Sequence, residues 1–263
     1  MHFVDVHDQG ETVRLHYRSD GDPKRPCLVL SNSLGTDLGM WDAQAAALSA
    51  SFFVLRYDTR GHGQSDAGRG PLTIERLGRD VLALLDHLDI EQAAFCGISM
   101  GGLTGQWLGI HAPQRFGKLV LANTAARIGD VEGWSARAGQ VRREGMGPIA
   151  DGAPARWFTG DFIARAPDTA ARMVRTLRAQ DAEGYAACCD ALAHADLRAD
   201  VQDIPVPTLV VAGEHDPVTT VADGAWLRER IRGARMASVP ASHISNIEAE
   251  AEFTALLHSF LLA

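Results

Sequence analysis

Cysteine is scarce in this 263-residue chain. The four present, Cys27, Cys96, Cys188 and Cys189, show no CxxC repeat and no Cys/His spacing of the kind that holds zinc. The adjacent Cys188-Cys189 pair is poorly placed to bridge itself, so a disulfide framework is excluded along with a structural metal. Reduced, mostly buried thiols are expected, with no metal and no cofactor. Positive charge is also in deficit: 25 Lys and Arg stand against 33 Asp and Glu, a formal net charge of −8. Without a basic stripe, partnership with nucleic acid or anionic lipid is not expected, and a negatively charged substrate must be held by local cations. No run approaches the ~18 apolar residues that cross a bilayer, and Met1 to Glu11 is polar and charged rather than basic then apolar. No membrane partner and a cytoplasmic location follow as expectations. Internal repeats and low-complexity linkers are missing as well.

What is present is apolar material, 46% of the residues, enough for one large α/β domain carrying an insertion. Val13 to Arg18 alternates as a half-exposed strand does. Cys27 to Leu30, Phe52 to Leu55, Ala93 to Cys96, Lys118 to Ala122 and Thr208 to Ala212 are short continuous apolar runs, as in strands buried on both faces, with a weaker run at Arg235 to Val239. Helical segments separate them: Trp41 to Ser49, Thr73 to Leu88 with apolar residues at 74, 77, 81, 84, 85 and 88, and Gly102 to His111. Glu248 to Leu262 reads as a closing amphipathic helix. This alternation predicts an α/β fold with a mainly parallel, doubly wound sheet. It stops after Ala122 and resumes near Pro205. The Ala- and Arg-rich stretch between has helical spacing and no convincing strand, which predicts a helical cap over 125–203 inserted in a core of 1–124 and 204–263. Three or four short helices are expected there, broken at Gly145 to Pro148, Gly152 to Pro154 and Ala166-Pro167. Arg172, Arg175 and Arg178 read as solvated helix faces.

Gly97-Ile98-Ser99-Met100-Gly101 lies where an apolar strand meets a helix. A serine between two glycines on such a turn is a nucleophile elbow. Side chains at either flank would clash with the neighbouring strand and helix, and the turn strains the serine backbone while presenting its hydroxyl at a helix N-terminus. There the free N–H groups and the helix dipole favour negative charge, which suits an oxyanion.

A serine hydroxyl needs a base, and the base needs an orienting carboxylate, in the chain order Ser, acid, His. Among ten histidines, His243 sits in a loop after the last apolar run and just before the closing helix. His258 falls inside that helix, His215 adjoins the candidate acid, and His62, in a glycine-bounded turn, is expected to pack or cap. Asp216 follows the strand Leu209 to Ala212 and precedes Pro217, the position of an orienting carboxylate. Glu214 is its competitor, whereas Asp203 lies before the strand and Asp223 well into the following helix. The oxyanion hole is expected from the backbone N–H of Met100 and of Leu34, in the loop Ser31-Asn32-Ser33-Leu34-Gly35. Many proteins of this architecture have His-Gly where Asn32-Ser33 stand.

Together these pieces resemble the α/β-hydrolase superfamily over the whole chain. A narrower likeness lies in Leu30 to Asp37 with Met40-Trp41-Asp42, in Arg56 to Ser65, and in Gly105-Gln106-Trp107-Leu108-Gly109. Leu121 to Gly129 and Ser242-His243-Ile244-Ser245-Asn246 share it. In combination they resemble the 3-oxoadipate enol-lactonases of aromatic-compound degradation. The resemblance implies a small-molecule lactone substrate whose carbonyl is attacked by Ser99, with an enolate as leaving group. That lactone carries a carboxymethyl group, which must be paired or hydrogen-bonded in a water-excluding site. Arg127, Arg137, Arg142, Arg143 and Arg156 are the available cations, with Trp134 and Trp157 as apolar walls. Arg127 and Trp134 are the expected substrate contacts because they follow soon after a strand whose C-terminal end faces the site. Ser33 joins them from the loop that carries Leu34.

Fold and triad do not select a substrate, so hydrolysis of another carboxylic ester, a thioester or a carbon–carbon bond stays open, as does a non-catalytic ligand-binding receptor. A haloalkane dehalogenase is disfavoured, since that chemistry uses a carboxylate where Ser99 stands.

Overall fold

The computed structural model describes residues 2–8 and 10–263. Eight strands form one sheet: β1 (His2–Asp8), β2 (Glu11–Asp20), β3 (Cys27–Ser31), β4 (Phe53–Tyr57), β5 (Ala93–Ile98), β6 (Phe116–Ala122), β7 (Thr208–Gly213) and β8 (Arg235–Val239). Their order is β1-β2-β4-β3-β5-β6-β7-β8. The first two pairings, β1 with β2 and β2 with β4, are antiparallel, and all the others are parallel.

Strand β1 falls in the stretch read as merely polar. Its signal is only Val4 and Val6, which are buried while their neighbours are not. Two apolar residues two apart are enough for an edge strand that buries one face, but too few to stand out from a charged terminus.

The inner strands are apolar on both faces because both faces are covered. Leu28 and Leu30 of β3 join one cluster, whereas Val29 between them joins another with Val81, Leu84 and Leu85. Those three belong to α2 (Ile74–His87), whose apolar stripe follows the helical period and whose start is capped by Thr73, its hydroxyl accepting the Arg76 N–H at 3.1 Å. The other α-helices before β6 are α1 (Asp42–Leu48), entered through a 3-10 turn, and α3 (Met100–His111).

Six helices stand between β6 and β7 rather than three or four: α4 (Val131–Glu144), α5 (Gly147–Asp151), α6 (Ala153–Trp157), α7 (Gly160–Arg165), α8 (Pro167–Arg178) and α9 (Ala182–His194). The breaks fall where Gly and Pro predicted them, with further stops at Phe158-Thr159 and Ala179 to Asp181. Thr159 and Asp181 cap the next helices, a side-chain signal that needs no Gly or Pro. Apolar residues of these helices, among them Trp134, Trp157, Leu177 and Tyr185, belong to the same cluster as Leu28 and Leu30. The insertion therefore shares the core of the sheet.

After β7 come α10 (Val221–Arg230), β8, α11 (Ser245–Glu248) and α12 (Glu250–Leu262). The expected single closing helix is interrupted at Ala249, whose backbone (φ −115, ψ 55) is not helical. Among the described residues no helix is long and apolar enough to cross a membrane. All four cysteines are free and buried.

Candidate active site

The C-terminal ends of four consecutive strands in the sheet, β5, β6, β7 and β8, deliver Ser99, Asn123, Asp216 and His243 to one edge, the crevice where open α/β sheets bind ligands. Ser99 joins β5 to α3 with φ 58 and ψ −114, a conformation that is strained for a residue with a Cβ. Glycine at the flanks is a steric need. A Cβ on Gly97 would lie 2.1 Å from the Gly101 carbonyl oxygen, and one on Gly101 would lie 2.4 Å from that of Ser31. Thr124 Oγ1 donates to the Ser99 carbonyl at 2.8 Å and holds the turn from the β6 side.

The loop Ser31 to Gly35 lies beside the Ser99 turn because Ser31 pairs with Gly97 across β3 and β5. Asn32, where a histidine was noted in other proteins of this architecture, anchors that loop. Its Nδ2 donates to the Tyr57 carbonyl at 2.8 Å, its Oδ1 accepts from Trp41 Nε1 at 3.0 Å, and its carbonyl accepts the Gly101 N–H at 3.1 Å. Gly35 has φ +83 and donates its N–H to His62 Nε2 at 2.9 Å. His62 Nδ1–H in turn donates to the Arg60 carbonyl at 3.1 Å. His62 thus packs and orients as expected, and burial pushes its pKa down despite the opposing Arg60 bond, which favours this neutral tautomer. Among the described residues no acceptor takes the N–H of Leu34 or Met100.

Asp216 and His243 meet directly, His243 Nδ1–H donating to Asp216 Oδ2 at 2.8 Å, with both residues buried. The Asp216 carboxylate is held on all sides. Oδ1 accepts the N–H of Val218 at 2.7 Å and of Thr219 at 3.1 Å, while Oδ2 also accepts Thr219 Oγ1 at 2.8 Å and Asn123 Nδ2 at 3.0 Å. Burial opposes its charge, but the hydrogen bond and charge of His243, then Asn123 and the Thr219 N–H, outweigh burial and hold the carboxyl below its ordinary value. The competing Glu214 accepts from Ser238 at the surface, and Asp223 closes a capping box with Thr220. Asn123 and Thr219 were assigned no role from sequence. Asn123, at φ 43, carried a faint signal as a short polar side chain directly after a buried strand.

Ser99 and His243 line one cavity of about 280 Å³ together with Ser33, Leu34, Ile128, Trp134, Arg137, Arg156, Trp157, Leu177, Tyr185 and Val218. Ser33, Leu34 and Trp134 are therefore where the sequence put them. Arg127 is not: it lines a separate surface depression, where its guanidinium sits 3.7 Å from Asp196. The cations in the cavity are Arg137 and Arg156. Arg137 stacks over the Trp134 ring at 4.7 Å, and Arg156 donates to the Ile149 carbonyl at 3.0 Å. Arg127 and Arg142 pair with carboxylates, whereas Arg137 and Arg156 form no ion pair among the described residues. Burial, then the charge of Arg137, pushes the Arg156 guanidinium below its ordinary value. A larger depression of about 500 Å³ near His16, Asp37 and Asp58 holds no serine, cysteine or lysine nucleophile beside a base apart from the exposed Ser19. No group of three or more His, Cys, Asp or Glu able to hold a metal occurs among the described residues.

Known proteins share this architecture. The alpha/beta hydrolase fold family matches residues 26–250. 3-Oxoadipate enol-lactonase 2 of Acinetobacter baylyi is 53% identical over 94% of this chain and 92% of its own length. 3-Oxoadipate enol-lactonase 1 of the same organism is 44% identical over 96% and 94%. The crystal structure of the enol-lactonase from Burkholderia xenovorans superposes with a TM-score of 0.95 at 49% identity, covering 99% of this chain and all of that one. The chain belongs to the alpha/beta hydrolase fold family and, within it, to the family of 3-oxoadipate enol-lactonases.

Proposed function

We propose that this protein opens 3-oxoadipate enol-lactone to 3-oxoadipate through an acyl-enzyme on Ser99. Two full-length relatives carry that activity in their names, and two unpaired arginines share a cavity with a strained, elbow-borne serine. The second observation carries the reading, because a simple ester hydrolase has no use for half-buried cations that form no ion pair among the described residues.

Ser99 Oγ attacks the lactone carbonyl as His243 Nε2 takes its proton, and Asp216 keeps Nδ1 protonated so that Nε2 is the basic nitrogen. The N–H groups of Leu34 and Met100 receive the oxyanion. Collapse expels an enolate, a good leaving group that needs little help from the imidazolium. The enolate is protonated at carbon to the ketone, with the proton that Ser99 gave to His243 as its source, and His243 is neutral again. The tethered hydroxyl that would otherwise re-close the ring at high effective molarity is thereby removed. Water, activated by His243, releases the acyl group as a carboxylate. Arg137 and Arg156 bind the substrate carboxylate in place of Arg127, between the walls of Trp134 and Trp157, with Ser33 at the reacting end. Residues 125–203 act as the cap over a core of 1–124 and 204–263, and the four free thiols fit work in the cytoplasm.

Following loss of enol-lactone absorbance and formation of 3-oxoadipate tests the reading. The wild type is expected to turn over and His243→Ala to fall to background. Absence of turnover by the wild type overturns the enol-lactone assignment. A serine-directed phosphonate that labels Ser99→Ala as well as the wild type overturns the nucleophile.

A further inference from the structure

Glu248 is a buried carboxylate that the chemistry above leaves unused. It ends α11, only 4% of its surface is exposed, and burial of such a group is costly unless its oxygens are fully bonded. Its partners come from two chain segments, one carrying His243 and the other carrying Arg156 and Trp157. Oε2 accepts the N–H of Ser242 at 2.8 Å, one residue before His243. The N–H of Thr159 donates to both oxygens, at 3.1 and 3.3 Å, and Thr159 Oγ1 donates to Oε1. Thr159 caps α7 and directly follows the segment Arg156-Trp157-Phe158. The residue after the histidine is tied to the same segment, since Ile244 N–H donates to the Trp157 carbonyl at 3.1 Å. Arg165 holds the Glu248 carbonyl at 2.9 Å.

We infer that Glu248 is a positioning residue whose carboxylate clamps the backbone of His243 to the cavity segment 156–159. The inference rests on His243 being the base. Asp216 sets the rotation of the imidazole, and Glu248 sets where its backbone stands. Arg156 and Trp157 line the cavity, so the clamp also joins the substrate-contacting wall to the base. The group must be a carboxylate. All its partners there are donors, and in either orientation a glutamine amide would point N–H groups at the backbone N–H of Ser242 or of Thr159.

The test compares wild type, Glu248→Gln and Thr159→Val on the enol-lactone and, for the acylation step, on p-nitrophenyl acetate, with near-ultraviolet circular dichroism and thermal melting as folding controls. Folded Glu248→Gln is expected to lose about 10- to 100-fold in kcat and in acylation by the neutral ester, with the lactone KM little changed. Thr159→Val, which keeps the Ser242 bond, is expected to fall between it and the wild type. Wild-type kcat in folded Glu248→Gln overturns the inference, as does a loss confined to the lactone KM. Should Glu248→Gln not fold, wild-type rates in folded Thr159→Val overturn it instead. Ser99→Ala and His243→Ala run alongside, and turnover by either locates the failure in the nucleophile and base rather than in the clamp.

Discussion

Asn123 Nδ2 reaches across from the end of β6 to Asp216 Oδ2, 3.0 Å away, and the same nitrogen donates to the Ser242 carbonyl at 3.1 Å. One amide therefore fixes both the carboxylate and the loop of the histidine it faces. Asn123→Ala is expected to cost about 1.5–3 kcal/mol of stability, the range for a hydrogen bond to a charged group. Denaturant unfolding measures this, and a change near zero would show the bond to be incidental. Asp216→Asn, which permits the wrong imidazole tautomer, is expected to lower kcat by about 10⁴-fold in steady-state assays.

Arg137→Ala and Arg156→Ala are each expected to raise the lactone KM by about 10- to 100-fold, as loss of a charge-assisted contact does. Hydrolysis of a neutral aryl ester should be spared. Arg127→Ala, with its guanidinium paired to Asp196, should leave both substrates unaffected. Loss of lactone affinity in Arg127→Ala alone would return the carboxylate site to the position expected from sequence.

Acid should weaken the fold through Asp216. Its carboxyl is held below the ordinary value of 3.8, so the stabilisation is present above the unfolded-state pKa and drains away as pH falls through the lower, folded-state one. Thermal melts taken from about pH 6 down to about pH 3 should show the wild type losing more stability than Asp216→Asn, which lacks the titrating carboxyl. Parallel curves would remove Asp216 from the acid response.

Gly101→Ala should abolish the native elbow, because the added methyl would sit 2.4 Å from a backbone oxygen that cannot withdraw. Gly160→Ala offers the contrast. No atom lies within 4 Å of its Cβ position, and the change should alter stability by less than about 1 kcal/mol. Expression yield and melting temperature of the two variants decide the matter.

The sheet, and the meeting of Asp216 with His243 in a cavity shared with Ser99, were legible because each rests on short-range pattern. Apolar runs such as Leu209 to Ala212 mark a strand buried on both faces, and a Gly-flanked Ser99 ahead of Asp216 and His243 follows a fixed chain order. The substrate end was harder to read. Arg127 and Arg137 are ten positions apart on similar polar sequence, and only the path of the chain from β6 into α4 sets one in a surface depression beside Asp196 and the other in the cavity of Ser99. Thr219 and Glu248 were silent, and Asn123 nearly so, for a related reason: each acts by bonding a partner far along the chain or across a turn. Periodicity reports which face of an element is buried, but not which polar atom waits there.

Gly61 and Gly184 touch so closely that a Cβ on either would stand 2.4 Å from the other's Cα. The height of α9 above the sheet is thereby fixed by main chain against main chain, with no side chain left to yield. Tyr185, next along that helix, borders the cavity, and its ring edge would be 3.1 Å from a Cβ on Gly35. Anyone re-tailoring the pocket for a bulkier acyl group can trim Tyr185 and gain width beneath an unmoved ceiling. A methyl at 61 or 184 would instead jack the ceiling away from the loop of Leu34.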